Sequence, residues 1–175
     1  MSCSALDDPT KFYGDSGVVT AANYKFTESD DPITGMGVVG NSLVVYKRAG
    51  YHVGYMTTTS SDPLAFPTNK RGIGLYAPYS LVHVGGINAW LGADDFYMMS
   101  GDEAVPIGGP IRKKFFEIVE DDDIENVFGL NSIKYDEVCW VAQTESGQEV
   151  FVWNYKENQW GSFSFSTDLS GMGGF

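Results

Sequence analysis

The chain is poor in the residues that build catalytic and metal centres. Among 175 residues it has two cysteines, Cys3 and Cys139, and two histidines, His52 and His83. Two cysteines are too few for a disulfide framework, and their spacing is not that of a metal site. Cys139, between Val138 and Trp140, reads as a small apolar residue inside a strand. A Cys3–Cys139 bridge would need the N-terminal strand beside the last repeat, and a reducing compartment disfavours it. His52 and His83 each sit in strand-like runs, where a sheet-face position outweighs a metal or acid–base role. Cations are scarce as well: 11 Lys and Arg stand against 23 Asp and Glu, a formal charge of −12. Phosphate binding depends on clustered Lys and Arg that release counterions, so specific nucleic-acid binding is not expected. No apolar stretch approaches the roughly 18 residues of a membrane span, and no basic segment followed by an apolar core marks a secretory signal. The protein therefore reads as made in the cytoplasm, without a membrane partner. The glycine pairs at 72–74 and 108–110 lack the third glycine or the Lys-Ser/Thr ending of a phosphate loop, so no nucleotide cofactor is expected.

What the chain does have is 21 glycines, 14 per cent aromatic residues and many β-branched ones. That composition favours strands and tight turns over helices. Residues 40–51 (GNSLVVYKRAGY) lie over residues 86–97 (GINAWLGADDFY), 46 positions apart. Each copy opens on a glycine, runs through an apolar strand, breaks at a polar turn (47–50 or 92–95) and resumes on aromatics. A stretched third copy follows, with residues 138–142 (VCWVA), a turn at 144–148 and the returning strand 149–155 (EVFVWNY). Trp90 to Trp140 is 50 positions and Tyr97 to Phe151 is 54, which assigns the extra residues to the turn, where insertion costs least. An Asp-Pro-x-x-Phe motif also recurs, at 8–12 and 62–66. Repeats of this length match four-stranded propeller blades. The expected fold is all-β, an array of about four antiparallel blades. No linker divides the chain, so residues 1–175 read as one propeller-like domain or a fragment of one.

One segment departs from the β pattern. Gly109 and Pro110 fit a helix start, and Ile111, Phe115, Phe116, Ile118 and Val119 gather on one helix face, which predicts a short helix over 110–120. The acidic run 121–125 is expected to end it, and residues 124–132 to return to the sheet. Residues 63–72, punctuated by Pro63, Pro67 and Gly72, read as irregular, and the tail 171–175 as poorly ordered. The acids at 120–123 lack the glycine-punctuated spacing of a calcium loop, and Asp94-Asp95 reads as a hairpin turn. Nothing singles out a carboxylate pair for glycoside hydrolysis. Arg112, Lys113 and Lys114 form the densest basic run, a solvated helix face or a docking contact with an acidic neighbour. Trp90, Trp140, Trp153 and Trp160 would make a sugar platform on loops, but three of them fall inside strands, where core packing is the default. No catalytic, cofactor-binding or metal-ligating residue is singled out.

The order of motifs carries a resemblance. An Ile33-Thr34-Gly35 entry, the strand 43–47 (LVVYK), residues 77–82 (APYSLV), the run to Asp95, Phe96 and Tyr97, and residues 105–108 (VPIG) before a helix resemble β-propeller structural proteins of tailed bacteriophages, the tail tubular or nozzle and neck or stabilisation proteins. The likeness spans about residues 4–160. Asp95-Phe96 stands where the family pattern more often has Asp-Gly, and the relatives are usually longer, with more blades. The resemblance implies a virion component, a homo-oligomer whose partners are other tail or neck proteins, and it transfers no catalytic residue. A carbohydrate-binding or glycan-hydrolysing propeller is the rival expectation, and an intracellular interaction scaffold a third.

Overall fold

The structure, a computed structural model, describes residues 2–5, 8–12, 22–27, 29–59 and 62–165, with side chains described from residue 24 onward. The chain enters through three strands, β1 (Ser2–Ala5), β2 (Asp8–Phe12) and β3 (Ala22–Asn23). They form a small antiparallel sheet in the order β2-β1-β3. Three four-stranded sheets follow. The first is β4 (Ile33–Val39), β5 (Ser42–Lys47), β6 (Gly50–Met56) and β7 (Leu64–Arg71). The second is β8 (Val82–Val84), β9 (Ile87–Leu91), β10 (Phe96–Met99) and β11 (Ala104–Pro106). Two helices, α1 (Gly109–Ile118) and α2 (Asp121–Ile124), lead to the third, β12 (Phe128–Ser132), β13 (Glu137–Thr144), β14 (Gly147–Asn154) and β15 (Gln159–Phe165). Every strand of these three sheets pairs antiparallel with its sequence neighbour, so each sheet is a simple meander. The all-β expectation holds, with three four-stranded antiparallel meanders and one three-stranded sheet among the described residues. No sheet closes on itself among the described residues. The strand β1 pairs with β2 and β3, and Cys139 is a free cysteine, while the Cys3 side chain lies outside the described residues. The tail 171–175 also lies outside them.

The second sheet is buried on both faces. Trp90, Tyr97 and Met99 point back onto Val44, Tyr46, Tyr51 and Val53 of the first sheet. Ala89, Leu91 and Phe96, on the alternate face, meet Val138, Trp140, Phe151 and Trp153 of the third. Successive residues of a strand point to opposite faces, so β9 needs apolar side chains at almost every position. Its sequence INAWL supplies them, with Asn88 as the exception. Asn88 is fully buried and satisfied, donating from Nδ2 to Tyr46 Oη at 3.0 Å and meeting His83 Nδ1 at 2.9 Å through Oδ1.

The sheets converge at their first strands. A Cβ on Gly37 of β4 would overlap the Asn88 amide, one on Gly35 the Leu75 side chain, and one on Gly129 of β12 both Val82 and the Ser80 carbonyl. Glycine at 35 and 37 makes room for those side chains, and at 129 it also lets the Ser80 backbone approach closely. Toward the later strands the gap widens and aromatics fill it. Phe115 of α1 lies 4.9 Å from Phe96 and 5.0 Å from Phe151, ring centre to ring centre, wedged between the second and third sheets. The expected helix is present, with Ile111, Phe115 and Val119 buried. The acidic run does not return at once to the sheet: Asp121, Asp122 and Asp123 form the first turn of α2, where carboxylates complement the helix dipole. Residues 64–71, expected to be irregular, form β7. Pro67 is accommodated because β7 is an edge strand whose register shifts opposite Val53 and Tyr55.

The side-chain directions also correct the repeat. Trp90 pairs with Tyr97 and Trp140 with Phe151, and each pair faces the preceding sheet. The first-sheet pair on the corresponding face is Val45 with His52, 45 positions before Trp90 and Tyr97. A 46-residue frame instead lays Val44, which faces forward, over Trp90, which faces back. One residue of slip inverts every side chain on a strand. The stretching of the third copy also lies elsewhere than expected. Beyond Trp140–Phe151 the ladder runs for four residue pairs, from Val141–Val150 to Thr144–Gly147, where β9–β10 has one, Leu91–Phe96, and it leaves a two-residue turn at Glu145 and Ser146.

Gly129→Ala is expected to lower stability by about 1–3 kcal/mol through overpacking against the Ser80 backbone. Gly161→Ala, where a Cβ meets nothing within 4 Å, is expected to change it by less than about 0.5 kcal/mol. Urea denaturation of the two variants separates these outcomes.

Candidate functional site

The polar side chains that stood out in the sequence are held in structural ties. Asp95 closes the β9–β10 turn: its Oδ1 accepts from the backbone N–H of Phe96 at 2.7 Å and of Gly108 at 3.0 Å. It thereby fastens the turn to the start of α1, and a Cβ on Gly108 would collide with its carboxylate. Burial holds its pKa above the ordinary carboxylate value despite these two donors. Arg112 Nε donates to the Asp94 carbonyl at 2.6 Å and lies 3.9 Å from Asp95 Oδ2, while Tyr97 Oη donates to Asp94 Oδ1 at 2.8 Å. Asp94 and Asp95 therefore serve the turn rather than forming a free carboxylate dyad.

The basic run divides three ways. Lys113 is exposed and pairs within the helix with Glu117 at 3.6 Å. Arg112 joins the turn described above, and Lys114 crosses to the third sheet. Its Nζ lies 2.5 Å from Glu149 Oε1 and donates to Ser162 Oγ at 2.5 Å, while Ser164 Oγ donates to Glu149 Oε2 at 2.6 Å. Burial alone would raise the Glu149 pKa, but the hydrogen bonds from Lys114, Ser164 and Ser162 outweigh it and hold the carboxyl below its usual range. Ser162 beside a lysine invites comparison with a serine–lysine nucleophile, which needs a neutral amine as base. Here Lys114 Nζ instead donates to both Glu149 Oε1 and Ser162 Oγ, tying α1 to the third sheet.

The remaining candidates are equally occupied. His52 is buried on the outer face of the first sheet with its ring 4.5 Å from Phe26, and His83 is exposed beside Asn88. Trp90 Nε1 donates to the Gly74 carbonyl, Trp140 Nε1 to Ser80, Trp160 Nε1 to Ile107 and Trp153 Nε1 to Asn158 Oδ1. Trp90, Trp140 and Trp153 are buried and Trp160 half-buried, stacked 5.5 Å from Trp140, so the four make no exposed platform. Cys139 is a free thiol whose pKa burial raises. The described residues hold no group of three His, Cys, Asp or Glu suited to a metal ion, and no helix among them is long and apolar enough to cross a membrane.

Two polar ties carried no signal in the sequence. Lys47, read as a turn residue, ends β5 and is buried, donating from Nζ to the Ser29 carbonyl at 2.6 Å and to Ser29 Oγ at 2.7 Å. Arg48, on the adjoining turn, pairs with Glu125 and lies 4.4 Å above the Tyr76 ring. The first anchors Ser29 against the first sheet, and the second joins that sheet to the segment after α2.

What the stack leaves open is apolar. At one end β4 and β6 present Met36, Val38 and Met56, which flank a depression of about 590 Å³ lined by Leu43, Tyr55 and Leu64. At the other end the outer face of the third sheet presents Leu130, Phe163 and Phe165, exposed by 47, 47 and 37 per cent, around the buried Val141 and Val150. Exposed apolar surface of this kind, rimmed by polar residues, is suited to contact with another protein surface. No protein-family model matches the chain, and no curated protein matches it.

Asp95→Ala is expected to cost about 1–3 kcal/mol, because two buried N–H groups lose their acceptor, while Asp95→Asn keeps the Oδ1 that accepts from both and costs less. Thermal denaturation compares the two. The Glu149 contribution follows from its depressed pKa. It is fully present above the unfolded carboxyl value of about 4.3 and is lost as pH falls through the lower folded value. Glu149→Gln should therefore flatten the acid limb of the stability profile below about pH 4.3, as measured by urea denaturation across pH.

Proposed function

We propose that the protein is a non-catalytic structural component of a tailed-phage or prophage virion, at the tail or neck, acting through contacts between subunits. The observation that carries the reading is the stack itself. Three consecutive meanders are locked face to face, their charged and hydrogen-bonding side chains fasten one segment of the chain to another, and apolar surface remains at both ends. Such an arrangement suits load-bearing contact better than chemistry, because a reaction centre needs converging polar groups that are not already satisfied. The resemblance of the 33–35, 43–47, 77–82 and 105–108 segments to phage propeller proteins supplies the virion context. Copies arranged around a channel would present a surface of net charge −12, past which DNA moves with little adhesion. The burial of Trp90, Trp140 and Trp153 weighs against the glycan-binding alternative, since stacking on a sugar needs an exposed ring face.

Mass spectrometry of purified, gradient-fractionated particles from a lysate of the producing strain tests this directly. The protein is expected at a fixed stoichiometry to other tail or neck components, and its absence from intact particles would sink the proposal.

A further inference from the structure

The edges of the sheets differ in how they are guarded. An edge strand offers unpaired N–H and C=O groups to any passing strand, and proteins blunt that hazard with short strands, prolines, lysines, bulges or cover. The edge strand β7 carries Pro67, Lys70 and Arg71 and a register shift. Its counterpart in the second sheet, β11, has three residues and ends in Pro106. On the opposite edges, β4 has a register shift between Ile33 and Gly35, and β8 has only three residues. The strand β12 lies under cover, with Gly129 against Ser80 and Val82 and Asn131 Nδ2 donating to the His83 carbonyl. In the N-terminal sheet β2 contains Pro9 and Lys11, and β3 has two residues.

The strand β15 has none of these devices. Its seven residues, QWGSFSF, include no charge and no proline. They pair with β14 in unbroken register from Gln159 to Phe165, and among the described residues β15 has no other strand partner. Its outward-facing Phe163 and Phe165 are substantially exposed, their rings 5.1 Å apart.

We propose that β15 is a dimerisation strand: two copies of the chain pair β15 antiparallel across a two-fold axis and join their third sheets into one eight-stranded sheet. The occupant follows from charge and shape. Chains of net charge −12 repel one another, and β15 is a long strand edge on which no carboxylate meets its like. A register centred on Ser162 sets Phe163 of each copy opposite Gly161 of the other. Gly161 has open space where a Cβ would stand, and an aromatic ring laid over a cross-strand glycine is a stabilising pair. Seven paired residues and two Phe rings bury less than the roughly 1,600 Å² of a standard interface, so the dimer forms in a concentration-dependent way. The proposal rests on the reading that the chain acts through subunit contacts and names one of them.

Sedimentation equilibrium of the full chain between about 1 and about 100 μM, a range spanning weak dimer affinities, tests it. The average mass should rise from monomer toward dimer with concentration, and hydrogen exchange of the β15 amides should slow in parallel. Phe163→Lys should weaken association at least about tenfold without moving the melting temperature of the monomer. Gln159→Lys, on the same edge and exposed, provides a second variant if the first folds poorly. Met36→Lys, at the other end of the stack, should leave association unchanged. A chain that stays monomeric throughout overturns the proposal and leaves the edge to a strand of another polypeptide. A dimer that survives Phe163→Lys and Gln159→Lys, or dissociates with Met36→Lys, overturns it by placing the contact elsewhere. Either failure leaves the particle-composition test of the virion reading unaffected.

Discussion

The close approach of consecutive sheets at their first strands is the constraint on which the rest of the structure depends. Where β4 meets the second sheet, Gly35 and Gly37 leave room for the Leu75 and Asn88 side chains, and where β12 meets the 78–82 segment, Gly129 leaves room for Val82 and the Ser80 backbone. The sheets then diverge, and a diverging gap must be filled, since interiors tolerate few voids. Tyr46 and Trp90 fill it between the first pair, and Phe96, Phe115, Phe151 and Trp160 between the second. The one substantial helix is thus a consequence of the wedge: α1 supplies apolar bulk where two sheets alone would leave a cavity.

The same geometry governs the polar groups. Aromatic side chains that fill a gap bring indole and phenol donors into the interior, and each needs an acceptor. Trp90, Trp140 and Trp160 use backbone carbonyls of the connecting segments and Trp153 the Asn158 side chain, so the loops are fixed by the core they border. The charged side chains follow suit: Lys114 with Glu149 and Arg48 with Glu125 join elements that the backbone ladders leave unlinked. A chain organised in this way ties its segments together while leaving apolar side chains exposed on the outer faces of the first and third sheets, which is the physical basis of the proposal that it acts through surface contacts.

Much of the fold was legible in the sequence. The apolar runs around Val44, Trp90 and Trp140, the polar turns and the helix after Pro110 all follow local rules of periodicity and capping. What was misread shares one cause: side-chain direction along a strand alternates with every residue, so a repeat aligned by residue type is blind to a slip of one. The 46-residue frame aligned glycine with glycine and tyrosine with tyrosine, yet reversed the facing of the whole first sheet. Pro67 and Lys47 were taken for loop residues for a related reason. Proline breaks a strand only in the middle of a sheet, and lysine stays exposed only when no carbonyl is folded over it. For the proposed interface, the alternating Phe163 and Phe165 were visible, but that β15 is an edge was not.

By itself the sequence determined the class of the protein: strands separated by tight turns, in hairpin units of about four dozen residues, strongly acidic, with no convergent set of histidines, cysteines or nucleophile motifs. Local interactions suffice for that, because turn residues, alternation and composition act within a few positions. The tertiary structure alone decided the number of full meanders, the face each strand presents, the pairing of Lys114, Arg112 and Arg48 with distant acids, and which edge is left unguarded. Those depend on contacts between residues 35 to 77 positions apart in the pairs Lys114–Glu149 and Arg48–Glu125, and long-range partners leave no periodicity in a single chain.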